Sequence, residues 1–403
     1  MRDVDAFTAR RGLARSATAT AVLEPTLPPE NPPEPSERLG IRALIVGMLL
    51  YYTLGAFLQW LDVGAGLWFG QIFLLFGGGW ALTRASGREP ASYVGLRWPG
   101  AWPVGLALAA AVANYFAIII PVQFLARLLA PSSWLEIFDQ TQLFERRSTL
   151  ELVLAVSAAV AAAPIGEEMV FRGLFLQGLL RRGVKLLPAV LASALVFAIS
   201  HLNPLAFPSL LELGVLFGFL YARTRSVWPS MAAHFGSNLT ATLLYSLSKD
   251  QQPAPVELDL SAELPSLIAF STLGWLALTV LVLLSRRIPG AWGNRPGVEV
   301  ALPPVPLHRT LRPWALAGCL TLLVWGLADR RGLELDVADV QTRVPPPRSE
   351  EPDWAHARRA ELEALREDVR RGSASLESYL RARRAFARAL ERGAADAGSL
   401  ADP

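Results

Sequence analysis

The chain has 403 residues, 52% of them hydrophobic and only 18% charged, where a soluble globular protein carries about 25% charged residues. Its 38 Lys and Arg nearly balance its 35 Asp and Glu, and the net charge of +3 is spread over loops, so no nucleic-acid partner is implied. The single cysteine, Cys319, rules out an intrachain disulfide framework and a cysteine-built metal site.

This composition is that of a polytopic membrane protein, and apolar runs of helical length make it all-α. Residues 1–40 contain no apolar signal core and become Pro/Glu-rich in "EPTLPPENPPEPSERLG", which reads as a disordered tail. A membrane domain follows over 41–286. Its predicted spans are 42–60, 65–84, 102–128, 149–180, 187–203, 208–222, 227–247 and 264–285. The fourth is too long to be only a span and contains Pro164 and Gly166. Residues 287–311 form a Pro/Gly-rich linker, and 312–328 is an accessory ninth span. Loop charges alternate. Arg38 and Arg42 precede the first span, Arg84 and Arg88 follow the second, and Arg181, Arg182 and Lys185 follow the fourth. The intervening loops, at 131–148 and 249–263, are neutral or acid-leaning. That pattern predicts a cytoplasmic N-terminus. Beyond 329 the chain is polar, with a plausible helix cap at Ser349. Leu362, Leu365 and Val369, then Leu376, Leu380, Phe386 and Leu390, predict a soluble two-helix hairpin.

Ionisable residues inside spans are costly and point to function. "PIGEEMVFRGLF" supplies Glu167, Glu168 and Arg172; "LVFAISHLNP" supplies Phe197 and His201; "WPSMAAHFGSNLT" supplies His234 and Asn238. Residues four apart share a helix face. Glu168 can therefore pair with Arg172, which leaves Glu167, about 100° around the helix, to point elsewhere. His234 and Asn238 share a face, and Phe197 can pack on His201. A carboxylate and an imidazole can activate water, while an imidazole and an amide can donate to an oxyanion. Two histidines and a glutamate could instead hold Zn²⁺. By rise along each span, His201 falls near the outer end and His234 nearer the inner end. The residues meet only if helices tilt or the fourth span is offset, which Pro164 and Gly166 permit.

"EEMVFR", "FAISH" and "HFGSN" fit the motifs EExxxR, FxxxH and HxxxN, in order and each on an apolar segment. Over about 150–247 the chain resembles the CPBP intramembrane proteases, which include CAAX-processing endopeptidases, Abi proteins and bacteriocin self-immunity proteins. The resemblance implies a metalloprotease-type membrane hydrolase with a catalytic core at about 149–247. Glu167 and His201 would activate water, His234 and Asn238 would form the oxyanion hole, and Glu168 and Arg172 would support them. If a metal is used, Glu167, His201 and His234 would hold it. It also implies a bacterial plasma-membrane location and a peptide or protein substrate, lipidated in the family's best-known case. The alternative is a non-catalytic protein that binds a peptide or partner, as in bacteriocin immunity. Taken singly, the Glu168–Arg172 pair, His201 and the His234–Asn238 pair each have a structural reading; their joint occurrence favours a site. Glu212 reads as interfacial, and Gly214 with Gly218 as a close-packing pair.

Overall fold

The computed structural model describes residues 36–131, 134, 138, 149–248, 260–287, 302–328, 330–342, 344 and 352–392. The tail before 36, the charged loop residues from Glu136 to Arg147 and from Lys249 to Asp259, the linker at 288–301 and Ser349 lie outside them. Every extended element among the described residues is helical. In chain order these are α1 (Arg38–Leu61), α2 (Val63–Ala85), α3 (Pro90–Val94), α4 (Ala101–Leu129), α5 (Leu152–Arg181), α6 (Leu186–Ile199), α7 (Phe207–Thr224) and α8 (Val227–Ser248). Then come α9 (Glu263–Arg287), α10 (Leu307–Leu327), α11 (Arg330–Thr342), α12 (Asp353–Arg371) and α13 (Leu376–Arg392).

Among the described residues six helices are long and apolar enough to cross a membrane by length and composition: α1, α2, α4, α5, α9 and α10. The sequence reading expected eight or nine, and three of its spans are not among these six. α6 has 14 residues, α7 carries Glu212 and Arg223, and α8 carries a run of Ser, Thr, His and Asn. α6 is apolar but short, whereas α7 and α8 are diluted by polar side chains.

Helices in a bilayer gain little from mutual burial of apolar surface and rely on close approach. A Cβ added at Gly214 on α7 would lie 2.8 Å from the Cα of Ala194 on α6, and one at Gly218 would lie 3.1 Å from Val190. α6 and α7 therefore pack backbone to backbone. α4 packs on α8, where a Cβ at Gly236 would lie 2.8 Å from Leu108. α5 runs between them and touches α1, α2, α6 and α8. α9 leans on α4 and α10 on α2. Their outward Leu273, Leu276, Leu320 and Leu323 are each more than half exposed in the protein alone, an apolar face for acyl chains.

α5 stays helical through Pro164 because a π turn at Ala158–Ala162 precedes it. Proline lacks the amide that would bond one turn back, and the wider turn absorbs the loss. The connection from α1 to α2 is one residue, Asp62, whose carboxylate accepts from the amide of Ala65 at 2.8 Å and caps α2. α3 begins with Pro90 after Glu89, whose carboxylate accepts from Ser92 and Ala91, and ends at Gly95 with φ +80°.

Where a two-helix hairpin was expected, three helices share a core. Leu335 and Ala338 of α11 join Leu362, Val369, Tyr379 and Phe386. Gly372, at φ +85°, ends α12. At the centre Asp339 accepts from the Tyr379 hydroxyl at 2.6 Å and from Arg366 Nε at 3.1 Å.

Candidate active site

Glu168 and Arg172, one turn apart on α5, pair at 2.8 Å with both side chains fully buried. The same carboxylate oxygen, Oε1, lies 3.1 Å from Nδ1 of His234 on α8. Arg172 also donates to the carbonyl of Gly214 on α7 at 3.2 Å. Its guanidinium carbon lies 4.5 Å from the ring centre of Phe197 and 5.3 Å from that of Phe217, within cation–π range. A buried ion pair is costly to desolvate and costlier to break. This one bonds α5 to α7 and α8, so its cost is offset by joining three helices.

Glu167 faces another way. Its Oε1 accepts from Nε2 of Gln71 on α2 at 2.9 Å. Its Oε2 is buried without a hydrogen-bond partner. That oxygen lies 3.9 Å from Nε2 of His201 and 3.9 Å from Nε2 of His234. The depths expected from counting along the spans differ, yet both rings meet one oxygen. α6 rises only about 21 Å at 1.5 Å per residue, so His201, just past its end, does not reach the far side of a bilayer.

The ring protons follow from the partners. Nδ1 of His201 lies 2.8 Å from the carbonyl of Phe197. A carbonyl only accepts, so Nδ1 carries a proton, and Nε2 is the nitrogen turned toward Glu167. Nδ1 of His234 likewise donates to the Glu168 carboxylate. Phe197 packs against His201 at 4.7 Å between ring centres, and Phe217 stacks on His234 at 4.8 Å. Leu202, at φ +51°, turns the chain away after His201.

Asn238 lies one turn beyond His234. Its amide donates to the carbonyl of Ala159, in the π turn of α5, at 2.8 Å. One of its N–H groups thus ties α8 to α5. Glu212 accepts from the buried Asn114 of α4 at 2.9 Å, a contact between α7 and α4. Three contributors were not singled out from the sequence: Gln71, Tyr51 and Phe217. Gln71 was the most findable, as a lone amide in the apolar run "WFGQIFLLFGG".

Residues 149–240 match the family model of Type II CAAX prenyl endopeptidase Rce1-like proteins. This segment of the chain is similar to that family. The matched segment contains α5, α6 and α7 complete and α8 through Thr240, and the similarity supports an intramembrane-protease type of function. No curated protein and no solved structure matches the chain.

The donor set of this protease domain can be weighed for a metal. Zinc lies about 2.0–2.1 Å from its ligands, which at tetrahedral angles leaves adjacent donors about 3.4 Å apart. The separations here are 3.9 Å. Among the described residues no group of three His, Cys, Asp or Glu is arranged to hold a metal ion. Two groups 3.9 Å apart can both lie within about 2.8 Å of one water oxygen, so the gap suits water better than a metal.

Proposed function

We propose that the chain is an intramembrane endopeptidase in which Glu167 and His201 activate water while His234 and Asn238 receive the oxyanion. The observation that carries this reading is the buried, unpartnered oxygen of Glu167, equidistant from two imidazole nitrogens. A water between Glu167 and His201 meets two acceptors and offers each a hydrogen. Proton transfer to Glu167 frees the oxygen to attack the scissile carbonyl carbon. The carbonyl π pair moves onto its oxygen, which faces His234. The same proton then passes from Glu167 to the leaving amine as the C–N bond breaks. Base catalysis of this kind contributes about 10²–10⁴-fold, and one oxyanion donor about 10²–10³-fold.

Donation by His234 sets a condition on its charge. Its Nδ1 proton is committed to Glu168, so Nε2 donates only from the doubly protonated ring. The second N–H of Asn238, on the His234 face of α8, is the companion donor. Glu168 and Arg172 act as supports.

The substrate class is a membrane-associated peptide or protein, with a lipidated CAAX-type chain the foremost candidate. The arginine-rich loops support a cytoplasmic N-terminus in a bacterial plasma membrane. Residues 1–40 are a tail, 41–286 the membrane domain, 287–311 a linker, 312–328 an accessory span and 329–403 a soluble helical appendage.

The test compares peptide termini in membranes of host cells expressing wild type or Glu167→Gln at matched levels. New termini that depend on Glu167 support the peptidase. Identical termini, with phenotype retained in the variant, would replace it with the binding reading.

A further inference from the structure

We infer that Gln71, with Tyr51 behind it, is a positioning residue for Glu167. The kinetic part of the inference rests on the peptidase reading above.

Glu167 has two oxygens, and only Oε2 faces the histidines. A carboxylate free to rotate would exchange them and swing its lone pairs out of line. Nε2 of Gln71 occupies Oε1 at 2.9 Å and removes that freedom. The contact is built into the backbone. Gly166, the neighbour of Glu167, lies so close to α2 that an added Cβ would fall on the backbone and side-chain oxygens of Gln71. Glycine is what lets the two helices meet at this level. Gln71 is 1% exposed, so water does not compete for its amide. It lies in a π turn, Gly70–Gly77, a geometry that recurs at functional sites.

The Gln71 amide is itself steered. The same Nε2 lies 3.4 Å from the hydroxyl of Tyr51 on α1, a long and weak bond. Gln59, in the last turn of α1, also lies near that hydroxyl. A polar chain therefore runs Gln59, Tyr51, Gln71, Glu167, across α1, α2 and α5. Two of those helices lie outside the matched segment 149–240, so the orientation of the base depends on helices that the family motifs do not include.

The experiment uses the full chain in proteoliposomes. Its substrate is a peptide spanning whichever bond is cut in cells by wild type and not by Glu167→Gln. Gln71→Met, near in volume and without the amide, is expected to lower kcat about 10–100-fold, the loss usual for an outer-sphere partner, with KM within about twofold. Tyr51→Phe lowers kcat about two- to fivefold. Since Tyr51 acts through Gln71, the double variant matches Gln71→Met within about twofold. Unchanged kcat, a loss in KM alone, or losses that multiply would overturn the inference.

An infrared arm needs no turnover. The carboxylate stretch missing from Glu167→Gln is expected to shift in Gln71→Met, and an unmoved band overturns the positioning role. If wild type and Glu167→Gln yield the same termini, the peptidase reading fails and the infrared result alone decides Gln71.

Discussion

Nδ1 of His234 lies 3.1 Å from Oε1 of Glu168, and this one bond decides which nitrogen of the ring faces Glu167. The second glutamate of the motif therefore sets the orientation and proton of a histidine 66 positions away, besides holding Arg172.

Removing that carboxylate should cost much stability. Glu168→Ala leaves the guanidinium of Arg172 buried with its charge uncompensated, a loss of about 3–5 kcal/mol. Thermal unfolding in detergent should show a marked fall. Arg172→Ala should do the same, and the double variant should fall short of the sum, since the two share one interaction.

Glu167→Gln should behave in the opposite way. The amide keeps the shape and can still accept from Gln71, so unfolding should stay near wild type. Hydrolysis should drop by at least about 10², the lower end of what a positioned base contributes. A comparable loss in His201→Ala, with KM little changed, would place its ring on the reacting water. Full activity in either variant would remove the mechanism.

The α6–α7 contact predicts a contrast between glycines. Gly214→Val drives a side chain into Ala194 and pushes apart the helices that carry Phe197 and Phe217, so expression and thermal stability should both fall. Gly105 on α4 has nothing within 4 Å of an added Cβ. Gly105→Ala should be neutral or gain about 0.4–1 kcal/mol by restricting the unfolded chain.

The three-helix unit at the C-terminus should lose stability in strong alkali. Burial first, then the bond to Asp339 and its charge, push the Tyr379 phenol up to about 12 from 10.0. The folded unit thus holds the neutral form. Its contribution is complete below the unfolded value near 10 and is lost as pH rises through about 12. Hydrogen exchange of α13 in the full chain should accelerate across that window, and Tyr379→Phe should remove that part of the slope.

Local spacing carried much of the site into view. The Glu168–Arg172 pair, the edge-on packing of Phe197 and His201 and the close approach at Gly214 and Gly218 all follow from which residues share a helix face. Contacts between distant helices do not. Gln71 and Glu167 are 96 positions apart, and no periodicity in either helix announces that meeting. Asn238 has the same difficulty, because its partner is the backbone carbonyl of Ala159, which has no side-chain signature. In the C-terminal unit α11 was missed because its few apolar residues look solvated until two other helices cover them.

The brevity of α6 has a consequence for the surrounding lipid. Fourteen residues rise about 21 Å, against a hydrocarbon core about 30 Å thick. Lipid that thins to match this helix would bring the headgroup boundary toward His201, whose side chain is 28% exposed. Hydrolysis needs a molecule that a hydrocarbon interior excludes, and a dimple of this kind delivers it. Turnover should then follow acyl-chain length, fastest in thin bilayers and slowest in thick ones that resist the deformation.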